Sequence, residues 1–278
     1  MRHIMMDPVR PGAGIAGPPL KKSFGKKSTS MWSFVLLVIL LAPAIAAAQP
    51  DPEEILRRID SNMTFSSAMM TAKMTINYRS GQAREMEFVS WSEGTDRSFL
   101  EFTSPARDAG SRFLRLEGDR MWIYLPRVGK TIRIQGHMLR QGLMGSDFSY
   151  GDASENPSMV DDYTAVIEGE ETIDGRPTLV LHLTANRAEL AYQSLRIWID
   201  AERWVPLKEE QYAKSGKLLK TMILGDVRRI GARWYPMRIE LDNALQADTN
   251  TVMEIIDFEM DVEIPERIFT LRNLEGGG

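Results

Sequence analysis

A long series of short segments with alternating apolar and polar side chains, separated by turn residues, runs through this sequence. The segment TAKMTINY is an example, because Ala72, Met74 and Ile76 alternate with Lys73 and Thr75. Such alternation predicts a strand with one face buried and the other in water. About a dozen segments of this kind follow one another, several of them separated by Gly-containing turns. This spacing predicts an antiparallel meander in a chain that is mainly β with a few helices.

Helices are predicted at both ends of the series. The first begins at Asp51, a favoured N-cap residue, with Pro52 in the first turn, and it has one apolar face: Ile55, Leu56, Ile59 and Met63. Such an amphipathic helix must pack on another surface. The segment IPERIFTLRNLEGGG predicts a short helix that covers one end of the sheet.

Several predicted strands are apolar on both faces. Trp122 and Tyr124 alternate with residues that are equally apolar, Met121, Ile123 and Leu125. A strongly curved sheet or open barrel would need this pattern, because helices fill its concave face while parts of the outer face are covered.

Residues 1–48 have the composition of an export signal. Four lysines precede an apolar run at about residues 31–41, and the small residues 46–48 resemble a cleavage site. The run is shorter than the roughly 20 residues that a membrane span requires, although a single transmembrane anchor is the alternative. We therefore expect a cleaved signal peptide with an extended n-region at residues 1–48, a single domain at residues 49–278, and a periplasmic protein.

The charge of the remaining chain argues against some partners. Six of the 34 Lys and Arg residues and one of the 38 Asp and Glu residues lie in residues 1–48, which leaves 28 against 37, a formal charge of −9. Such a balance does not favour nucleic acid or an anionic membrane surface as the main partner. The chain has no Cys, so disulfides, thiolate nucleophiles, thiolate metal sites and lipidation of a Cys are excluded.

No motif in the sequence indicates catalysis. His137, Ser146 and Asp147 are close in sequence, but Gly-x-Ser-x-Gly is absent and catalytic triads are built in space. No phosphate-binding Gly loop occurs, and the two histidines after the leader are too few for zinc. We expect no enzyme, cofactor or metal, and a hydrolase that uses Ser146 or an acidic pair is the less favoured alternative.

The segment after the sixth predicted strand is apolar although it should be a connection. Between glycines, residues 136–148 carry Met138, Leu139, Leu143, Met144 and Phe148. Met side chains adapt to ligands of variable shape, although Met is also an ordinary core residue. This composition favours a lid over an apolar cavity.

These stretches resemble the outer-membrane lipoprotein-sorting family, relatives of the periplasmic lipoprotein carrier. The resemblance rests on PEEILRRIDSNM, on MWIYLPRVGKTIRI followed by GSDFSYGD, and on IPERIFT, and it covers nearly all of residues 51–272. It implies an unclosed antiparallel β-barrel of about 11 strands, with a helical lid over a hydrophobic concave face that opens to admit acyl chains. The chain is more similar to the broader carrier-like branch than to the standard carrier.

The resemblance also implies partners and site residues. A carrier would bind the acyl chains of a lipoprotein or other lipid and move them from an inner-membrane exporter to an outer-membrane acceptor. We expect the cavity or lid to be lined by Trp91, Phe99, Phe113, Trp122, Tyr124, Met138, Leu139, Leu143, Met144 and Phe148. Ser146 and Asp147 would hold the loop to the sheet by capping backbone donors.

Two questions stay open at this point. The standard carrier holds its lid closed with an Arg, and the candidates here are Arg112, Arg115, Arg133 and Arg140. Relatives on this fold also include receptors and stress sensors, so a lipid-sensing or lipoprotein-sensing interaction domain is the alternative to a carrier.

Overall fold

Thirteen antiparallel strands form one open sheet in the computed structural model, which describes residues 50–118, 120–153, 158–246 and 248–276. Numbered in chain order, strands one to six lie side by side from the middle of the sheet to one edge, and strands seven to thirteen lie from the opposite edge back to the middle. The prediction of a mainly β fold with an unclosed antiparallel sheet is confirmed, with thirteen strands instead of about 11. The predicted leader lies outside the described residues and stays a prediction.

The strands follow the predicted meander in two runs. The first run is β1 (Ser67–Tyr78), β2 (Ala83–Glu93), β3 (Arg97–Ser104), β4 (Arg112–Leu116), β5 (Arg120–Leu125) and β6 (Lys130–Ile134). The second is β7 (Tyr163–Ile173), β8 (Arg176–Ala185), β9 (Ser194–Asp200), β10 (Pro206–Tyr212), β11 (Leu218–Ile230), β12 (Arg233–Asn243) and β13 (Thr249–Met260). The two runs join where β13 pairs with β1, with Met74 opposite Met253 and Ile76 opposite Thr251.

The amphipathic helix α1 (Pro52–Met63) forms as its sequence predicts. The Asp51 carboxylate accepts a hydrogen bond from the Glu53 backbone amide at 3.2 Å, which satisfies a free donor of the first turn. Ile55, Leu56 and Ile59 are buried against the apolar residues of β8 and β9. We call this group, which also contains Leu179, Leu181, Leu183, Leu195, Ile197 and Ile199, the helix cluster.

A second apolar group lies over the first run of strands, on the same face of the sheet, because the strand register places Ile76 of this group and Ile197 of the helix cluster on one side. We call it the loop cluster; its buried members are Ala72, Met74, Ile76, Met86, Phe88, Phe102, Phe113, Met121, Ile123, Ile134, Leu143 and Tyr150. The face that carries both clusters is the inner face. Because side chains alternate along a strand, the neighbouring residues of each strand lie on the other face, which we call the outer face.

The C-terminal segment covers part of the outer face. It contains a 3-10 turn (Glu266–Phe269) and the short helix α3 (Leu271–Leu274), as predicted for a short terminal helix. Phe269 and Leu274 pack on Phe99 and Leu114 in what we call the outer cluster. This cover explains why β3, β4 and β5 are apolar on both faces. Among the described residues, no helix has the length and apolar character needed to cross a membrane.

The packing of α1 can be tested by truncating one buried side chain. Leu56 is 1% exposed, so we expect Leu56→Ala to lower the free energy of unfolding by about 2–5 kcal/mol. In the control Arg57→Ala, a side chain that is 48% exposed is removed, and we expect a loss below about 1 kcal/mol. Urea unfolding followed by tryptophan fluorescence measures both, and equal losses would contradict this packing.

Candidate functional site

The connection between β6 and β7 crosses the inner face of the sheet, because these strands lie at opposite edges. It contains a 3-10 turn at Gly136–Arg140, a second at Leu143–Gly145, and the short helix α2 (Met159–Asp162). We call its first part, residues 136–153, the crossing loop. The far end of the connection is held to α1, since the Asp60 carboxylate accepts hydrogen bonds from the backbone amides of Met159 (2.9 Å) and Val160 (3.1 Å).

The crossing loop has a compact backbone that depends on Gly142. The Leu143 amide donates to the Phe148 carbonyl at 2.7 Å, and Gly142 pairs with Ser149 as an isolated bridge. A Cβ at Gly142 would lie 2.1 Å from the carbonyl oxygen of Ser146, so a larger residue does not fit. Met144 has a φ of 52°, in the left-handed region that non-glycine residues rarely occupy. The loop therefore has one specific closed conformation.

Six of the predicted cavity or lid residues come together in the loop cluster. Leu143 and Phe113 are buried there, and four half-buried side chains of the crossing loop pack against them: Met138, Leu139, Met144 and Phe148. Phe113 also stacks on Tyr150 with ring centroids 6.0 Å apart. The Met and Leu side chains of the loop therefore form part of the apolar core above β1 to β6.

The other four predicted residues do not share this face. Trp91, Phe99, Trp122 and Tyr124 lie in the outer cluster under the C-terminal segment. The reason is strand register, because Leu114 is opposite Trp122 while Phe113 is opposite Ile123. These four predicted residues therefore do not lie with the other six on the inner face.

Asp147 holds the crossing loop to β13, the strand at the middle of the sheet. Asp147 is 1% exposed, and its carboxylate accepts hydrogen bonds from the hydroxyls of Thr249 (2.7 Å) and Thr251 (2.6 Å). Its backbone amide also donates to the Thr251 hydroxyl at 3.0 Å. The expected contact with the sheet is present, but through side-chain hydroxyls instead of backbone donors.

Ser146 makes a local contact. Its hydroxyl donates to the Phe148 carbonyl at 3.2 Å, and His137 is exposed on the first 3-10 turn. The hydrogen-bond partners of Asp147 are threonines, so the closed loop does not arrange Ser146, Asp147 and His137 as a catalytic triad.

An arginine that sequence reasoning missed contacts the loop backbone. Arg84 on β2 donates from Nη1 to the Met144 carbonyl at 2.8 Å, and its Nη2 lies 2.8 Å from the Asp108 carboxylate. Arg84 has the same strand parity as Met86 and Phe88, which face inward. A charged residue at an inward position of an apolar strand was the signal that could have identified it.

The four arginines considered from the sequence lie elsewhere. Arg112 donates to the Glu101 carboxylate at 3.0 Å, and Arg115 donates to the Thr95 carbonyl. Arg133 and Arg140 are exposed. In the closed structure Arg84 is an arginine that donates to the loop backbone.

Comparison with known proteins identifies relatives of this fold. A family model described only as an uncharacterized protein matches residues 94–276, more than half of the chain. No curated protein matches the sequence. Two solved structures are each 25% identical over 80% of this chain: a DUF1329 family protein from Desulfovibrio piger (97% of that chain, TM-score 0.73) and a LolA superfamily protein from Nitrosomonas europaea (98% of that chain, TM-score 0.67).

A third solved structure is named for outer-membrane lipoprotein sorting. This domain from Vibrio parahaemolyticus is 23% identical, with 81% of this chain and 98% of that chain covered and a TM-score of 0.69. At this identity the likeness shows the fold alone. Together the three structures confirm the resemblance to lipoprotein-sorting proteins.

The closed conformation of the loop can be tested with a pair of glycine variants. In Gly142→Ala the new methyl group overlaps the Ser146 carbonyl, so we expect the free energy of unfolding to fall by about 1–3 kcal/mol. We also expect faster hydrogen exchange at the backbone amides of Tyr150 and Gly151, which donate hydrogen bonds within the loop. In the control Gly225→Ala on β11, no heavy atom lies within 4 Å of the new Cβ. Thermal unfolding and hydrogen exchange are measured for both variants. Equal stability and equal exchange rates in the two variants would contradict the loop geometry.

Proposed function

We propose that this chain is a carrier that binds acyl chains without a covalent bond. It belongs to the family whose model matches residues 94–276 and has the fold of the LolA superfamily. In this proposal the inner face binds one or more acyl chains of a lipoprotein or other lipid, and the crossing loop opens to admit them. The carrier performs no chemistry on its cargo.

One observation carries the proposal: the side chains that cover the inner face above β1 to β6 come from a connection, not from a regular element. The crossing loop places Leu143, Met144 and Phe148 on that face. If the loop moves away, the sheet exposes an apolar surface, and an acyl chain has the chemistry to replace the loop side chains on it. Burial contributes about 0.8 kcal/mol per CH2 group, so a chain of several such groups offsets the loss of the loop contacts.

A few polar contacts hold the closed loop, which makes opening by a ligand feasible. They include the hydrogen bond from Arg84 to the Met144 carbonyl, the bonds of Asp147 to Thr249 and Thr251, and an ion pair between Asp152 and Lys220 on β11. A hydrogen bond from a charged donor contributes about 1.5–3 kcal/mol. The loop therefore has a closed state that is stable without cargo and that cargo can displace.

The proposed carrier function also implies a transport route. After removal of residues 1–48 the chain would work in the periplasm, receive its cargo from an inner-membrane exporter and pass it to an outer-membrane acceptor. The basis for this route is the fold that the chain shares with the LolA superfamily protein from Nitrosomonas europaea.

The proposal is tested by weakening the closed state. We expect Arg84→Leu to bind monooleoylglycerol, an uncharged acyl ligand, about tenfold more tightly than the wild type, because less free energy is needed to open the loop. Arg133→Leu is the matched control, since Arg133 is exposed on β6, and its affinity should be unchanged.

Binding is measured by displacement of a fluorescent acyl probe. Unchanged affinity in a folded Arg84→Leu variant would contradict the role of Arg84. Failure of all three proteins to bind any acyl ligand would reject the carrier function itself.

A further inference from the structure

The inner face is not apolar throughout. Glu209 and Gln211 on β10 are both buried, and they are two residues apart, so their side chains lie on one face. Gln211 is paired across the sheet with Lys220 on β11, which is also buried. Gln211 is likewise paired with Leu195 of the helix cluster on β9. These three polar residues therefore lie on the inner face, beside the helix cluster.

Lys220 reaches the crossing loop. The Asp152 carboxylate accepts hydrogen bonds from the Lys220 ammonium and from the Tyr192 hydroxyl, in the connection between β8 and β9. It also accepts one from the Ser149 backbone amide at 2.7 Å. Two of these donors belong to the sheet and its β8–β9 connection, so they stay behind when the loop moves. Together they form a cradle for one carboxylate.

The side-chain amide of Gln211 has an oxygen that accepts no hydrogen bond from the described residues. Gln211 donates from Nε2 to the Glu209 carboxyl at 2.7 Å, but its Oε1 is buried and no donor among the described residues reaches it. Leaving a buried acceptor unpaired costs free energy, and replacing a buried ion pair by apolar residues is often neutral or stabilising. If the crossing loop served only to cover the apolar sheet, apolar residues in place of Glu209, Gln211, Lys220 and Asp152 would suffice.

The charges around Lys220 favour the binding of an anion once the loop has opened. Burial raises the pKa of the Glu209 carboxyl, the hydrogen bond from Gln211 opposes this, and the charge of Asp152 adds to the rise. A raised pKa favours the neutral form, so Glu209 adds less repulsion toward an incoming anion. When Asp152 leaves with the loop, the Lys220 ammonium loses the carboxylate that neutralises it.

We propose that Lys220 and Tyr192 bind an anionic group of the acylated cargo, a phosphate or carboxylate, in the place that Asp152 occupies when the loop is closed. This inference rests on the proposed carrier function and adds a head-group class to it. Gln211 Oε1 accepts a hydrogen bond from an O–H or N–H next to the anionic group. Asp152 is then an internal competitor, which the cargo replaces.

The test compares two ligands that differ only in one phosphate, monooleoylglycerol and oleoyl lysophosphatidic acid. We expect the wild type to prefer the phosphate ester by about tenfold or more, since a charge-assisted contact is gained. The double variant Lys220→Met with Asp152→Asn leaves no unpaired charge behind, and it should bind both ligands with similar affinity. Because loop opening affects both ligands equally, the ratio of affinities reports the head-group contact alone.

Lys208→Met is the matched control, since Lys208 lies on the outer face of β10 over the Trp198 ring, and it should keep the wild-type ratio. A ratio near one in the wild type, or an unchanged ratio in the double variant, would overturn the inference while leaving the carrier function intact. Binding of glycerol 3-phosphate or inorganic phosphate as tightly as the lysophosphatidic acid would also overturn it, because the site would then serve free anions. If neither acyl ligand binds the wild type, the carrier function fails, and the inference with it.

Discussion

One connection has to cross the inner face of the sheet, and the contacts of the crossing loop follow from this path. The chain completes β6 at one edge of the sheet and must begin β7 at the other, because β13 returns to pair with β1 in the middle. The connection passes Arg84 on β2, then Thr251 on β13, then Lys220 on β11, and finally α1. The apolar inner face of the sheet needs a cover, and above β1 to β6 a segment without long helices provides it.

The chemistry of this cover differs from that of α1. The helix is held by a continuous apolar face, whose burial is lost only when the helix leaves the sheet as a whole. The crossing loop combines partly exposed Met and Phe side chains with a few polar contacts between defined atoms. Polar contacts of this kind can be exchanged for contacts with a ligand, and Met side chains adapt to different shapes. The structure thus has one fixed cover and one cover that is suited to move.

Sequence reasoning succeeded where a pattern is local. Alternation identified the strands, and Asp51 with Pro52 identified the start of α1. It placed Trp122 and Tyr124 on the face opposite Met121 and Ile123 but did not identify which face is the inner one, because the C-terminal segment covers the outer face and makes both faces apolar. It also missed Arg84 and the pair of Asp152 with Lys220, since these contacts join residues 60 and 68 positions apart and depend on the loop backbone.

We propose that the inner face under the crossing loop binds acyl chains. Native mass spectrometry of the protein, purified without detergent and then incubated with monooleoylglycerol, tests this binding. We expect a fraction that carries a co-purified lipid or acylated peptide, and a stoichiometric adduct with the added ligand. A protein that shows only its own mass in both measurements would contradict it.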